Sequence, residues 1–219
     1  MNKTIRLLTA MFLGLMTFLP YKAEADTLNP SDVEMTVYGL FLSKNTDCSK
    51  PVLVLSNSSP KSQNMVKSPT FGSGAIPKGT YQCVIVAISN YITTTPATTS
   101  TASPSQPECV QGVSFTNQIC RTGQSSINPT TGATITCTNG TQAEVYAYFS
   151  TTGSAANGNL PGGYFLPTYP GPLNAPVVVA GDHTLTFVTD FNGQLYDDGT
   201  STPSSPETCR SNAPTMLTR

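Results

Sequence analysis

Tryptophan is absent, histidine occurs once, at His183, and Asp, Glu, Lys and Arg make up only 11% of the 219 residues. Scarce charge leaves no basic groove, which argues against nucleic acid as a partner. One histidine and no C-x-x-C pair leave no zinc set among the cysteines. No G-x-S-x-G elbow occurs, so the local signature of a serine hydrolase is missing. A sustained i, i+3, i+4 apolar pattern is also missing, which argues against a helical fold.

The longest apolar run sits at the N-terminus. Lys3 and Arg6 precede Leu7 to Leu19, which is interrupted only by Thr9, Gly14 and Thr17. Pro20 and then Ala23-Glu24-Ala25 follow, a helix breaker and a small-x-small cleavage pattern. The run falls short of the roughly 20 residues needed to span a bilayer. Residues 1–25 therefore read as a cleavable secretory signal, and the first cysteine, Cys48, lies too far on for a lipid anchor. The expected address is outside the inner membrane: periplasmic, outer-surface or secreted, with no membrane span after cleavage. Lys3, Arg6, Lys22 and Glu24 leave with the signal, so eight basic residues face eleven acidic ones in the mature chain.

All six cysteines, Cys48, Cys83, Cys109, Cys120, Cys137 and Cys209, lie in the mature part. An even count in an exported chain implies disulfides, with 15 connectivities open to six cysteines. Cys120 and Cys137 flank a turn-rich stretch, Arg121 to Gly132, where a local hairpin staple is the natural pairing.

The apolar stretches are short, β-branched or aromatic, and bounded by Pro, Gly, Asn and Ser. Val33 to Leu42 alternates at first and then becomes apolar on both faces, as a central strand would. Thr80 to Ile88 is apolar on both faces throughout: Tyr81, Cys83, Ile85 and Ala87 one way, Val84, Val86 and Ile88 the other. Further strands are expected at 51–55, 110–119, 133–138, 143–149, 176–180 and 183–191. Asn139-Gly140 predicts a hairpin between two of them, and Asn192-Gly193 a turn after which 194–196 pairs back. Thr93 to Ser105 holds only Thr, Ser, Ala and Pro, and reads as a loop over 93–108. The expectation is one all-β domain, an antiparallel Greek-key β-sandwich over 26–200. A Ser/Thr/Pro-rich tail, 201–219, would be tied by Cys209.

Two motifs carry a resemblance. Ile76-Pro77-Lys78-Gly79-Thr80-Tyr81 resembles the P-x-G-x-Y entry into a core strand of prealbumin-like and immunoglobulin-like sandwich domains in bacterial surface and secreted proteins. There a tyrosine lays its ring on the core while its hydroxyl caps a backbone group at the corner. Gly181 to Phe187, running into Asp190-Phe191-Asn192, is similar to the closing strand of uncharacterised bacterial exported sandwich domains. The resemblance implies a fold and brings no established activity.

Three groups are candidates for chemistry. Asp190, Asn192, Asp197 and Asp198 are oxygen-rich around a Gly turn, which suits calcium, although the EF-hand spacing is missing. Without calcium they are two hairpin turns. Tyr164, Phe165 and Tyr169, between Gly and Pro clusters, could stack on a sugar or fill a partner's pocket, or else plug the core edge. His183 beside Asp182 could act as a base, but a turn residue is the simpler reading. The chain is thus expected to be a non-enzymatic exported binding or adhesion module, taking a protein or glycan ligand through loops 93–108 and 157–172. One alternative is a fimbria-like fibre subunit that offers Val33 to Leu42 to a neighbour by strand addition. Others are a carbohydrate-binding module or a secreted hydrolase.

Overall fold

The computed structural model describes residues 26–102, 106–138, 144–153, 171–173, 175–181, 183–197, 209–211 and 215–218. The proposed signal, Tyr164, Phe165, Tyr169, Asp182 and Asp198 lie outside them. The described residues are all-β, without helix. In chain order the strands are β1 (Asp26–Leu28), β2 (Pro30–Ser43), β3 (Val52–Ser56), β4 (Ser62–Asn64), β5 (Thr70–Ile76), β6 (Gly79–Tyr81), β7 (Cys83–Ser89), β8 (Tyr91–Pro96) and β9 (Phe115–Gln118). They continue with β10 (Ser125–Ile127), β11 (Thr134–Thr136), β12 (Glu144–Ser150), β13 (Gly171–Pro172), β14 (Val177–Val179), β15 (His183–Asp190), β16 (Leu195–Asp197), β17 (Arg210–Ser211) and β18 (Thr215–Thr218).

The 14-residue β2 is the spine of the largest sheet. Along one edge it pairs antiparallel with β7 and then β8; along the other, with β3 and β4. β12 pairs with the outer edge of β7, β9 with that of β8, and β13 adds parallel to β12. Between β7 and β8 the ladder breaks and polar side chains replace it. Ser89 Oγ accepts the Thr36 N–H at 3.1 Å and donates to Tyr91 O at 2.9 Å. The buried Asn90 accepts from Ile119 N–H on its backbone oxygen and from Cys120 N–H on Oδ1, at 2.8 and 2.7 Å. This single asparagine therefore welds two strand ends at the bend.

Burial along β2 follows the expected pattern. Val33, Met35 and Val37 are buried by alternation, and Leu40 to Ser43 are buried on both faces. Every residue of β7 is buried. Val84, Val86 and Ile88 join the main core with Leu40, Leu42, Val145 and Phe149. Ile85 and Ala87 join Phe41, Tyr146 and Tyr148 on the opposite face. Each such Val or Ile contributes roughly 1.5–3 kcal/mol on leaving water. Tyr81 departs from the expected facing. It lies with Val84 and Val86, because the strand breaks at Gln82, whose N–H donates to Ser43 O. Its hydroxyl donates to Pro77 O at 2.6 Å, so the tyrosine closes the corner as the motif implied.

β5 and the ribbon β6-β14 give Phe71, Ile76, Tyr81, Val177 and Val179 to the main core, and β15 and then β18 extend from β5 in the order β18-β15-β5. β5 crosses the free edge of β3 so closely that a Cβ on Gly74 would stand 1.9 Å from Val54 O. Behind the other face, the β10-β11 hairpin covers the second cluster. Tyr148 donates its hydroxyl to Ile127 O at 2.8 Å, and Asn128 Nδ2 donates to the Tyr146 hydroxyl at 2.8 Å.

All six cysteines are paired, as Cys48–Cys83, Cys109–Cys209 and Cys120–Cys137. The last brackets β10-β11, as expected of a local staple. Several expectations need correction. The strands flanking Asn139-Gly140 do not form a hairpin with each other: β11 pairs with β10, and β12 with β7 and β13. β16 does not pair back on β15 but joins β1 and β17. The stretch read as a loop from Thr93 begins as strand, since Thr93 to Pro96 complete β8 between β2 and β9. The tail is tied by Cys209, and it also contributes β17 and β18. Val33 to Leu42, the segment that the alternative fibre reading would offer to a neighbour, is paired along both edges within its own sheet.

Candidate binding cleft

A cleft of about 240 Å³ opens where the start of β2, the β4-β5 loop and the end of β15 meet. It is lined by Pro30, by Met65, Val66 and Pro69 of the loop, and by the run from Val188 to Asn192. Met65 is fully buried, and Val188 and Phe191 are nearly so. These three make an apolar floor. Val66 is 38% exposed, and two prolines complete the walls.

Local chemistry shapes both lips. In the β4-β5 loop, Asn64 Oδ1 accepts from Val66 N–H at 3.0 Å and Lys67 N–H at 3.2 Å, and Met65 N–H donates to Val33 O at 2.8 Å. The asparagine thus curls the loop and turns Met65 inward. Lys67 reaches back to Asp32 at 2.6 Å, and its ammonium holds that carboxyl below the usual carboxylate range. Lys67 is 70% exposed, so this ion pair contributes little to stability. On the other lip, Thr189 N–H donates to Pro69 O at 2.9 Å and ties β15 to the loop. The register of β15 on β5 shifts between Phe187 and Val188, a bulge that re-aims the strand beside the cleft. The turn beyond is built by Gly193 at φ 65°, by Asn192 N–H donating to Asp190 Oδ1 at 2.9 Å, and by Gly193 N–H donating to Asn29 Oδ1 at 2.7 Å.

Three polar side chains line the cleft: Thr189, Asp190 and Asn192. Asp190 places its carboxylate on the rim. Thr189 is 3% exposed, and its Oγ1 is buried without a hydrogen-bond partner. The lining set carries no imidazole, thiol or amine; its polar side chains are the Asp190 carboxylate, the Thr189 hydroxyl and the Asn192 carboxamide.

Of the four residues expected to hold calcium, Asp190 and Asn192 reach this rim, while Asp197 is buried in another sheet, opposite Asp26. There its Oδ2 accepts the Glu108 N–H at 2.9 Å. The described residues bring no three His, Cys, Asp or Glu side chains together around a metal position. Asp190 and Asn192 share one turn, and Asp197 serves as an internal acceptor. His183 opens β15, paired by its backbone to Ile76. The aromatic candidates fall outside the described residues, as does most of loop 157–172. Pro30, Met65, Val66 and Pro69 had no signal in the sequence, because three separate segments assemble the site. No family model matches the chain, and neither does any curated protein or solved structure.

Proposed function

We propose that this chain is an exported, non-enzymatic binding module, delivered by residues 1–25 beyond the inner membrane to a surface or periplasm. Its sheets are read as an antiparallel Greek-key sandwich of the immunoglobulin or prealbumin-like kind. Three disulfides support the export reading, because such bonds persist in oxidising compartments. Cleavage after Ala25 would leave Asp26, the first residue of β1, as the new terminus. The observation that carries the binding reading is the apolar-floored cleft with a carboxylate at its rim and no proton-transfer pair in its lining. A concave hollow that sets apolar side chains beside a few convergent polar groups is a common form of ligand site.

The test is an array of glycans, peptides and small molecules probed with the mature chain, residues 26–219. A saturable ligand supports the module. A blank array, with turnover in a hydrolase screen, would sink it. N-terminal sequencing of the exported protein should read from Asp26; an uncut N-terminus would remove the export premise.

A further inference from the structure

The geometry points to a hydrophobic amine as the ligand of this cleft: one ring or branched aliphatic group bearing a protonated amino group. This deepens the binding-module reading and rests on it.

Size comes first. An apolar cavity of about 150 Å³ takes benzene. At about 240 Å³ the cleft holds one ring or branched chain with a short polar extension, and no long acyl chain. Surface character comes second. Met65, Phe191, Val188 and two prolines suit a flat or branched apolar group, with the thioether able to lie against a ring edge.

The sign of charge comes third, and it is set by the one ionisable side chain of the lining, Asp190. An anion needs N–H groups to receive it. Pro30 and Pro69 have none. The backbone N–H groups of Met65, Val66, Thr189 and Asn192 are already given to Val33 O, Asn64 Oδ1, Pro69 O and Asp190 Oδ1. The Asn192 carboxamide is neutral and can donate or accept, so the charge on the rim is that of Asp190, whose Oδ1 takes one turn N–H and which has no ion pair among the described residues. The buried Thr189 hydroxyl also lacks a partner among the described residues. A carboxylate at the mouth of an apolar hollow attracts a cation whose apolar body fills the hollow. A free amine and the N-terminus of a peptide beginning with an apolar residue share that chemistry.

Calorimetry on the mature chain with 2-phenylethylamine, 2-phenylethanol and 3-phenylpropionate separates the possibilities. The amine should bind about tenfold tighter than the alcohol, which is about 1.4 kcal/mol, and the anion should not bind. Asp190→Asn keeps an oxygen for the Asn192 N–H, so the turn survives. It should abolish the preference for the amine while leaving the alcohol's affinity unchanged. Val66→Trp, at an exposed wall, should exclude both. A Phe-Gly amide against its N-acetylated form then tells a peptide terminus from a free amine as the source. Equal affinities for amine and alcohol would overturn the proposal, as would no binding of the amine by the wild type or an unchanged preference in Asp190→Asn. If the array returns a ligand that ignores both substitutions, the cleft proposal falls and the module reading stands.

Discussion

Gly74→Ala should be among the most damaging single-methyl changes in this chain. The new Cβ would lie 1.9 Å from Val54 O and 3.1 Å from Val54 C. Carbon and carbonyl oxygen ordinarily meet no closer than roughly 3.3 Å, so β5 and β3 would have to part by more than an ångström. Neither strand can yield alone. Gly74 sits in register with Leu185 of β15, and the β3 residues around Val54 are laddered to β2. No rotamer relieves the clash, because both atoms nearest the new methyl are backbone. Overpacking of this kind costs about 1–3 kcal/mol, and a backbone clash belongs at the upper end. Losing a glycine from the unfolded chain returns about 0.4–1 kcal/mol. The net expectation is a loss of about 2 kcal/mol, or a Tm lower by roughly 4–8 °C for a chain of this size. Gly79→Ala is the control. Its Cβ would meet Lys44 Cε at 2.8 Å, the far end of a flexible side chain that can swing away. That variant should stay within about 0.5 kcal/mol of wild type. Urea unfolding with the disulfides intact reads both. A wild-type midpoint for Gly74→Ala, or equal losses for the two variants, would refute the close crossing of β5 over β3.

Removing Cys109–Cys209, which spans 100 residues, as a double alanine variant should cost about 4–5 kcal/mol by loop entropy. Removing Cys120–Cys137, which spans 17, should cost about 3 kcal/mol, so urea midpoints should fall in that order. Tyr81→Phe loses the hydroxyl bond to Pro77 O and should cost about 1 kcal/mol, measured the same way. Burial raises the phenols of Tyr146 and Tyr148 well above their ordinary value of 10.0. The stability this represents is complete below that pH and is lost as pH rises beyond it. Titration at 295 nm should therefore show these two ionising only together with alkaline unfolding. Thr189→Val removes a buried hydroxyl without a partner and should raise stability by about 1 kcal/mol on thermal melting.

Strands were legible wherever burial wrote itself into residue type. β7 is apolar on both faces because it is covered on both, by the main core and by the β10-β11 hairpin side. The switch within β2 from alternation to continuous apolarity marks where the second cluster begins. Partners were less legible than strands. Asn139-Gly140 has hairpin chemistry, but a turn dipeptide says nothing about which edges are free, and β7 and β10 had already claimed the two strands beside it. The Thr-rich stretch misled by its composition. Ile92, Thr94 and Pro96 are buried while Tyr91, Thr93 and Thr95 face outward. Threonine fits a pleated, half-buried surface well, so an alternation of similar residues hid a real strand.

Charge explains both the part of the site that could be read and the part that could not. In a chain so poor in ionised groups, each carboxylate's surroundings state its use. Asp26 takes Thr101 N–H, Thr101 Oγ1 and Ser100 Oγ, and joins the loop after β8 to β1. Asp32 takes Lys67, Asn64 and Ser31, and pins the β4-β5 loop to β2. Asp47 takes the backbone and hydroxyl of Ser49, inside the loop that carries Cys48. Asp197 receives a backbone N–H in a buried sheet. These are structural uses, and each explains why a carboxylate stands where a hydroxyl would be more usual in this composition. At Asp190 the single turn N–H is a bond that an asparagine or serine could accept as well. A carboxylate at that position has no internal use among the described residues beyond this turn, and it stands at a cleft lined also by Met65, Val188 and Phe191. The sequence pattern led to this turn, where Asp190 and Asn192 stand at the cleft while Asp197 lies in another sheet. Calcium needs several oxygens converging on one point, whereas a hydrophobic amine needs only one beside a place for its apolar body.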